Sequence, residues 1–348
     1  MSGWLTPKKA RIIAICAILA SIASVITINI KRTATSGESD IIVESWNRVH
    51  GAPWLKPNLT DARIVLPDRP HSRAEIEAQQ RGEPTSIHRV REYLLTTGSM
   101  RLRGGDPPAP QPGTLRIVAL GDSVTHGWGV ADDETWPAQL ERSLSEAGVR
   151  ASVINAGVPA NRVQTMATWC QRVAPELSPD WIMWTRRPDS RDHNPTQGYV
   201  AAIRRCQHAT NARILAVLPP ISMFDTYGRE VRATEVLELQ RALGDEIEIL
   251  ELTDYFREAQ EGRGTGLVVS NGELQVVDQH SGEILLETQS TEIALPTEIY
   301  SLFERDRSVK EALFFDDGHP DAEGFRLFGE VVARELIQLL SAAPTTQQ

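Results

Sequence analysis

Between residues 115 and 251 the chain alternates short apolar runs with amphipathic stretches. The runs are Leu115–Leu120, Ala151–Asn155, Trp181–Thr185, Arg213–Leu218 and Glu246–Glu251, each rich in Val, Ile, Leu or Trp. Strands buried on both faces read this way, without the strict alternation of a half-exposed sheet. Trp136–Ala147, Val163–Glu176, Gln197–Ala209 and Ala233–Leu243 lie between them with apolar residues at helical spacing. That pattern predicts an α/β domain: a doubly wound parallel sheet with helices on both faces. "DAEGFRLFGEVVARELIQLL", residues 321–340, predicts a closing helix.

With 41% apolar residues in 348, the chain can bury a large core. A net charge of −10 argues against nucleic acid as a partner, because phosphate binding wants a basic surface. At the N-terminus, Lys8, Lys9 and Arg11 precede the apolar "IIAICAILASIASVITINI", residues 12–30, and Lys31 and Arg32 close it. This is about the 20 residues that a helix needs to cross a bilayer. A cleaved signal peptide is the rival reading, but the run is long for one. The short basic tail, 1–11, is expected to stay in the cytoplasm, which places everything after the anchor outside it. The localisation expected is therefore single-pass membrane with an extracytoplasmic C-terminal domain.

Residues 31–113 read as a stalk and N-terminal extension, with a possible helix over Ser72–Arg81 and a strand or hairpin near "IHRVREYLL". "GGDPPAPQPG" marks a boundary, so the main domain is expected over 114–342, with a tail at 343–348. An insertion at 258–307 interrupts it: "GLVVSNGELQVVDQHSGEILLET" has the turn residues of a β-hairpin, and a helical stretch follows.

In an open parallel sheet, ligands bind beyond the carboxyl ends of the strands. "RIVALGDSVTHGWGV" places Ser123 there, after the first core strand and before a helix start. A serine hydroxyl needs a base to become a nucleophile. "FFDDGHPDAEG" supplies Asp316 and His319 three residues apart, and Pro320 biases His319 away from helical backbone. Nucleophile, base and orienting acid together form the logic of a Ser-His-Asp triad. His126 reads as a solvated turn residue, His193 as a possible pocket residue and His280 as surface. No cluster has metal-ligand spacing, so neither metal nor cofactor is expected.

These motifs resemble the SGNH, or GDSL, family of serine esterases and acyl hydrolases over about 114–257 and 308–342. "ALGDSVTHGWGVADDETWPAQL" is similar to its first block, "VINAGVPANRVQT" to its second and "DDGHPDAEG" to its last. "YLLTTGSMRLRG" is similar to a strand preface of exported bacterial members. The resemblance implies a flavodoxin-like three-layer α/β/α sandwich, with Ser123, His319 and Asp316 as triad and Gly157 giving an oxyanion N–H. One block departs from the pattern. In "PDWIMWTRRPDSRDHN", Asp189 stands where the family has an Asn that donates to the oxyanion, with Asn194 five residues later. Asn194 or an arginine (Arg186, Arg187 or Arg191) is a possible substitute.

The function expected is an exported, membrane-anchored esterase or deacetylase acting on acylated carbohydrate or small esters. Two alternatives stand beside it: an O-acyltransferase for envelope polysaccharide, and a catalytically impaired module that binds glycan. Cys170 and Cys206 fall in helices expected to be neighbours, and read either as a disulfide or as two buried thiols.

Overall fold

The computed structural model describes residues 43–44, 54–67, 90–186, 195–222, 226–244, 246–270, 273–288, 312–314 and 318–342. The chain divides into Met1–Val43 and Glu44–Gln348, and the second unit is described below. Among the described residues no helix is long and apolar enough to cross a membrane. The expected anchor at 12–30, the helix at Ser72–Arg81 and the tail at 343–348 lie outside them.

Two short strands, β1 (Val43–Glu44) and β2 (Trp54–Leu55), come first. Next, β3 (Ala62–Pro67) pairs antiparallel with β4 (Val90–Leu95). The main sheet contains β5 (Leu115–Gly121), β6 (Ala151–Gly157), β7 (Trp181–Thr185), β8 (Arg213–Leu218) and β9 (Glu248–Glu251). All five are parallel, in the order β6-β5-β7-β8-β9. This is the flavodoxin-like order, with the first core strand between the second and third.

Period-two geometry divides each strand between two cores. Val118, Leu120, Ile182 and Trp184 face one, built with α3 (Val163–Arg172), α5 (Pro195–Thr210) and α6 (Thr226–Leu243). Ile117, Ala119, Trp181 and Met183 face the other, built with α2 (Trp136–Glu146), α7 (Thr253–Ala259) and α8 (Ala322–Ala342). Both faces are apolar, so helices must cover both, and three layers result.

The stretch expected as one helix over Val163–Glu176 is two, because Pro175 cannot continue α3. It sits instead in the first turn of α4 (Ala174–Leu177), where a missing N–H costs nothing. On one face, Cys170 in α3 and Cys206 in α5 are joined as a disulfide with a Cα separation of 5.1 Å. On the other, α2 and α8 pack closely, with Trp136 stacked on Phe328 at 4.8 Å between centroids. A Cβ on Gly329 would lie 2.7 Å from Leu140 N, so this approach requires a glycine.

The insertion is a three-stranded antiparallel meander rather than a lone hairpin: β10 (Thr265–Ser270), β11 (Glu273–Asp278) and β12 (Ile284–Thr288). Its start is tied back to α8 by the Arg263–Glu323 ion pair at 2.8 Å. The helical stretch expected after it lies almost wholly outside the described residues. Strand β6 forms one edge of the main sheet. Glu141 Oε2 accepts its Val153 N–H at 2.6 Å, and its Asn155 carbonyl accepts from Arg103 N–H at 3.2 Å.

Candidate functional site

Strand β5 ends at Gly121, and Asp122 starts a one-turn helix, α1 (Ser123–His126). Asp122 caps it, its side chain accepting the Val124 N–H at 2.9 Å. Gly127 stops it in left-handed backbone at φ 81°, with its N–H returning to Ser123 O at 3.0 Å. Ser123 is thereby held, half-buried, at the carboxyl edge of the sheet. Among the described residues none accepts a hydrogen bond from the Ser123 amide.

His319 comes from the opposite end of the domain. The segment before α8 is pinched by a β-bridge between Phe314 and Pro320 and by the Asp321 N–H to Leu313 O bond at 3.0 Å. Asp321 also caps α8 through the Gly324 N–H at 3.0 Å. A fixed neck therefore holds His319, and its Nε2 lies 2.8 Å from Ser123 Oγ. The sequence brought these two residues together on motif grounds, and the fold places them in hydrogen-bonding contact. Asp316, Asp189 and Asn194 lie outside the described residues, as do Arg187, Arg191 and His193.

One expectation, that for His126, needs correction, and Gly157 gains a second role. The Gly157 amide, assigned above to an oxyanion, donates to Asn155 Oδ1 at 3.0 Å. The structure gives another reason for this glycine: a Cβ there would overlap His126 N and the Thr125 carbonyl carbon of the nucleophile helix. His126 is not a solvated turn residue, because its relative exposure is 0%. Its side chain is enclosed by the turn that follows Ser123. Burial first, then the nearby Arg103 and His319 charges, hold its imidazole well below the ordinary value of 6.5.

Arg186 follows β7 directly, but its guanidinium turns inward. It lies 4.0 Å from the buried Glu235 carboxylate and 6.0 Å from the Tyr199 ring centroid. Burial pushes the Glu235 carboxyl up against the pull of Arg232 and Arg186. Sequence reasoning missed Arg103, which holds the far end of the nucleophile turn. Nothing in "RLRGG" marks an arginine that the fold will enclose. No group of His, Cys, Asp and Glu suited to a metal ion occurs among the described residues.

Residues 119–268 match the model of the GDSL-like lipase/acylhydrolase family. No curated protein sequence matches the chain. Among solved structures, a member of the lipolytic protein G-D-S-L family from Veillonella parvula is 16% identical, with a TM-score of 0.42 over 66% of this chain and 100% of its own. The acetyl xylan esterase AlAXEase is 13% identical, with a TM-score of 0.41 over 65% and 100%. A two-domain esterase active on acetylated mannans is 14% identical, with a TM-score of 0.45 over 68% and 52%. Nothing about substrate follows from likeness this distant. The family match begins within β5, four residues ahead of the serine that His319 contacts, so the stretch similar to the GDSL-like lipase/acylhydrolase family contains the nucleophile turn.

Proposed function

We propose that this chain is an exported serine esterase that removes acyl groups from carbohydrate or small esters. The observation that carries this reading is the 2.8 Å contact of Ser123 Oγ with His319 Nε2 at the carboxyl edge of the sheet. Ser123 Oγ attacks the ester carbonyl carbon while His319 Nε2 takes its proton. The tetrahedral oxyanion is held by the Ser123 amide, and Asp316 orients the imidazole. Collapse expels the alcohol, which takes the proton back from His319. Water activated by the same imidazole then cleaves the acyl-serine and releases a carboxylic acid.

Residues 12–30 serve as the membrane anchor in this reading, with the catalytic domain on the extracytoplasmic side. The Cys170–Cys206 bond supports that placement, because disulfides persist in oxidising compartments and are rare in the cytosol. Treatment of the purified protein with a fluorophosphonate probe, followed by peptide mapping, tests the chemistry. Labelling at Ser123 with hydrolysis of aryl acetates is the expected result. An unlabelled protein that releases no acetate from aryl esters or acetylated oligosaccharides overturns the reading.

A further inference from the structure

Arg103 precedes the family-matched segment by 16 positions (119 minus 103), yet its side chain, 1% exposed, is built into the turn that follows the nucleophile. Its Nη1 donates to the carbonyls of His126 and Gly127, the latter at 2.7 Å. Nη2 donates to Val130 O at 2.6 Å, and Nε pairs with Asp132 Oδ1 at 2.7 Å. Asp132 in turn accepts the Thr96 N–H at 2.8 Å, and the Tyr93 ring centroid lies 5.3 Å from the guanidinium.

A helix of one turn has almost no ladder of its own, and its last carbonyls need partners from elsewhere. Gly127 and Trp128 N–H groups satisfy Ser123 O, each at 3.0 Å, and Gly127 N–H also reaches Val124 O at 3.2 Å, while the carbonyls of His126, Gly127 and Val130 accept from Arg103. Only a planar fork can reach three carbonyls and a carboxylate from one stem. A lysine carries its donors on a single atom and cannot span them. The backbone of Arg103 is fixed as well, through its N–H bond to Asn155 O on β6 at 3.2 Å.

We propose that Arg103 is the positioning residue of the nucleophile turn: its fork locks residues 126–130, and through them sets Ser123 against His319. The proposal rests on the esterase reading above only for its kinetic consequence. Arg103 also lines a groove of about 940 Å³ between the proline-rich segment and the β6 edge. A small guanidinium ion supplied in solution has the donors to replace the fork in the space that a truncated side chain leaves.

The test uses the full chain with Arg103→Ala and Arg103→Lys. Arg103→Ala is expected to lower kcat on an aryl acetate about 10²-fold with KM nearly unchanged, because the serine is misplaced rather than the substrate site lost. Arg103→Lys is expected to fall between it and the wild type. Ethylguanidinium is expected to restore part of kcat to Arg103→Ala and to leave the wild type unaffected. Hydrogen exchange at the Gly127 and Trp128 amides is expected to speed up in Arg103→Ala relative to Ile182 and Leu215. Wild-type kcat in Arg103→Ala, or unchanged exchange at those two amides, overturns the proposal. So does lost activity in a folded variant with a matching rise in KM and no rescue. A wild type that neither hydrolyses nor labels overturns the esterase reading instead, and exchange alone then decides the role of Arg103.

Discussion

Ser123 Oγ and His319 Nε2 meet at 2.8 Å although 196 positions separate them in the chain. The serine is fixed by a strand-to-helix turn and the histidine by the neck before α8, so neither reaches the other by local structure. Ser123→Ala and His319→Gln are each expected to abolish fluorophosphonate labelling and to cost most of kcat. The double variant is expected to be no worse than either single one, because the two residues act as a unit. Independent, additive losses in kcat would refute that coupling.

Gly157 faces the backbone of the nucleophile helix, and a methyl group there meets His126 N and the Thr125 carbonyl carbon. Gly157→Ala must push the turn aside, and a displacement near 1 Å is worth about 10²-fold in rate. Gly198 is the control, since a Cβ there meets only Gln164 Nε2 at 3.7 Å, an ordinary contact. It lies within α5, so Gly198→Ala is expected to keep kcat and to add up to about 1 kcal/mol of stability. Equal kcat for the two variants would remove the packing argument.

His126 makes stability depend on pH. Burial and neighbouring charge keep its folded-state pKa well below 6.5, whereas the unfolded chain takes up the proton near that value. Below about pH 6.5 the unfolded state thus binds one more proton. The contribution is intact above that pH and drains, by about 1.4 kcal/mol per pH unit, as pH falls toward the folded pKa. Urea midpoints measured from pH 7.5 to 5.5 check this, and His126→Gln is expected to flatten the slope by one proton. An unchanged slope in that variant would contradict the assignment.

The Cys170–Cys206 bond closes a separation of 36 residues between two helices of one layer. Chain-entropy reasoning gives such a loop about 4 kcal/mol of stabilisation. The paired substitution Cys170→Ala with Cys206→Ala should therefore lower the urea midpoint and steepen the slope of unfolding, because the freed unfolded chain exposes more surface. Mass spectrometry of the unreduced protein should find neither cysteine open to alkylation. Two alkylated thiols in native material would exclude the bond.

Asp189 stands in the sequence where the resemblance calls for a hydrogen-bond donor to the oxyanion. An ionised carboxylate repels that charge, so Asp189→Asn is expected to raise kcat by up to about 10²-fold with KM nearly constant. Unchanged or lower kcat would assign Asp189 a different task.

Much of this architecture is legible in the sequence, for a physical reason. Strands buried on both faces must be apolar throughout, so Trp181–Thr185 and Arg213–Leu218 declare their own boundaries. Ser123 and His319 are legible because turn chemistry surrounds them: Gly-Asp before one, Pro after the other. Residues whose roles arise only through distant partners are not. The β3–β4 pairing joins segments with no shared pattern, and polar His126 gives no local sign that the fold will bury it. The room that Gly157 leaves for the nucleophile helix is equally silent in the sequence, because it depends on the distant backbone of Thr125 and His126.

The packing of α8 on α2 has a consequence in time. His319 and the helix that anchors it follow Ser123 by 196 positions, so an emerging polypeptide carries Ser123 well before its base exists. At about 5–20 residues per second, roughly 10–40 seconds of synthesis separate the two. Throughout that interval the serine is as unreactive as any in water. The Gly329 approach and the Trp136–Phe328 stack thus form only after the sheet can, and a chain cut short before α8 can complete its sheet and still carry no working nucleophile.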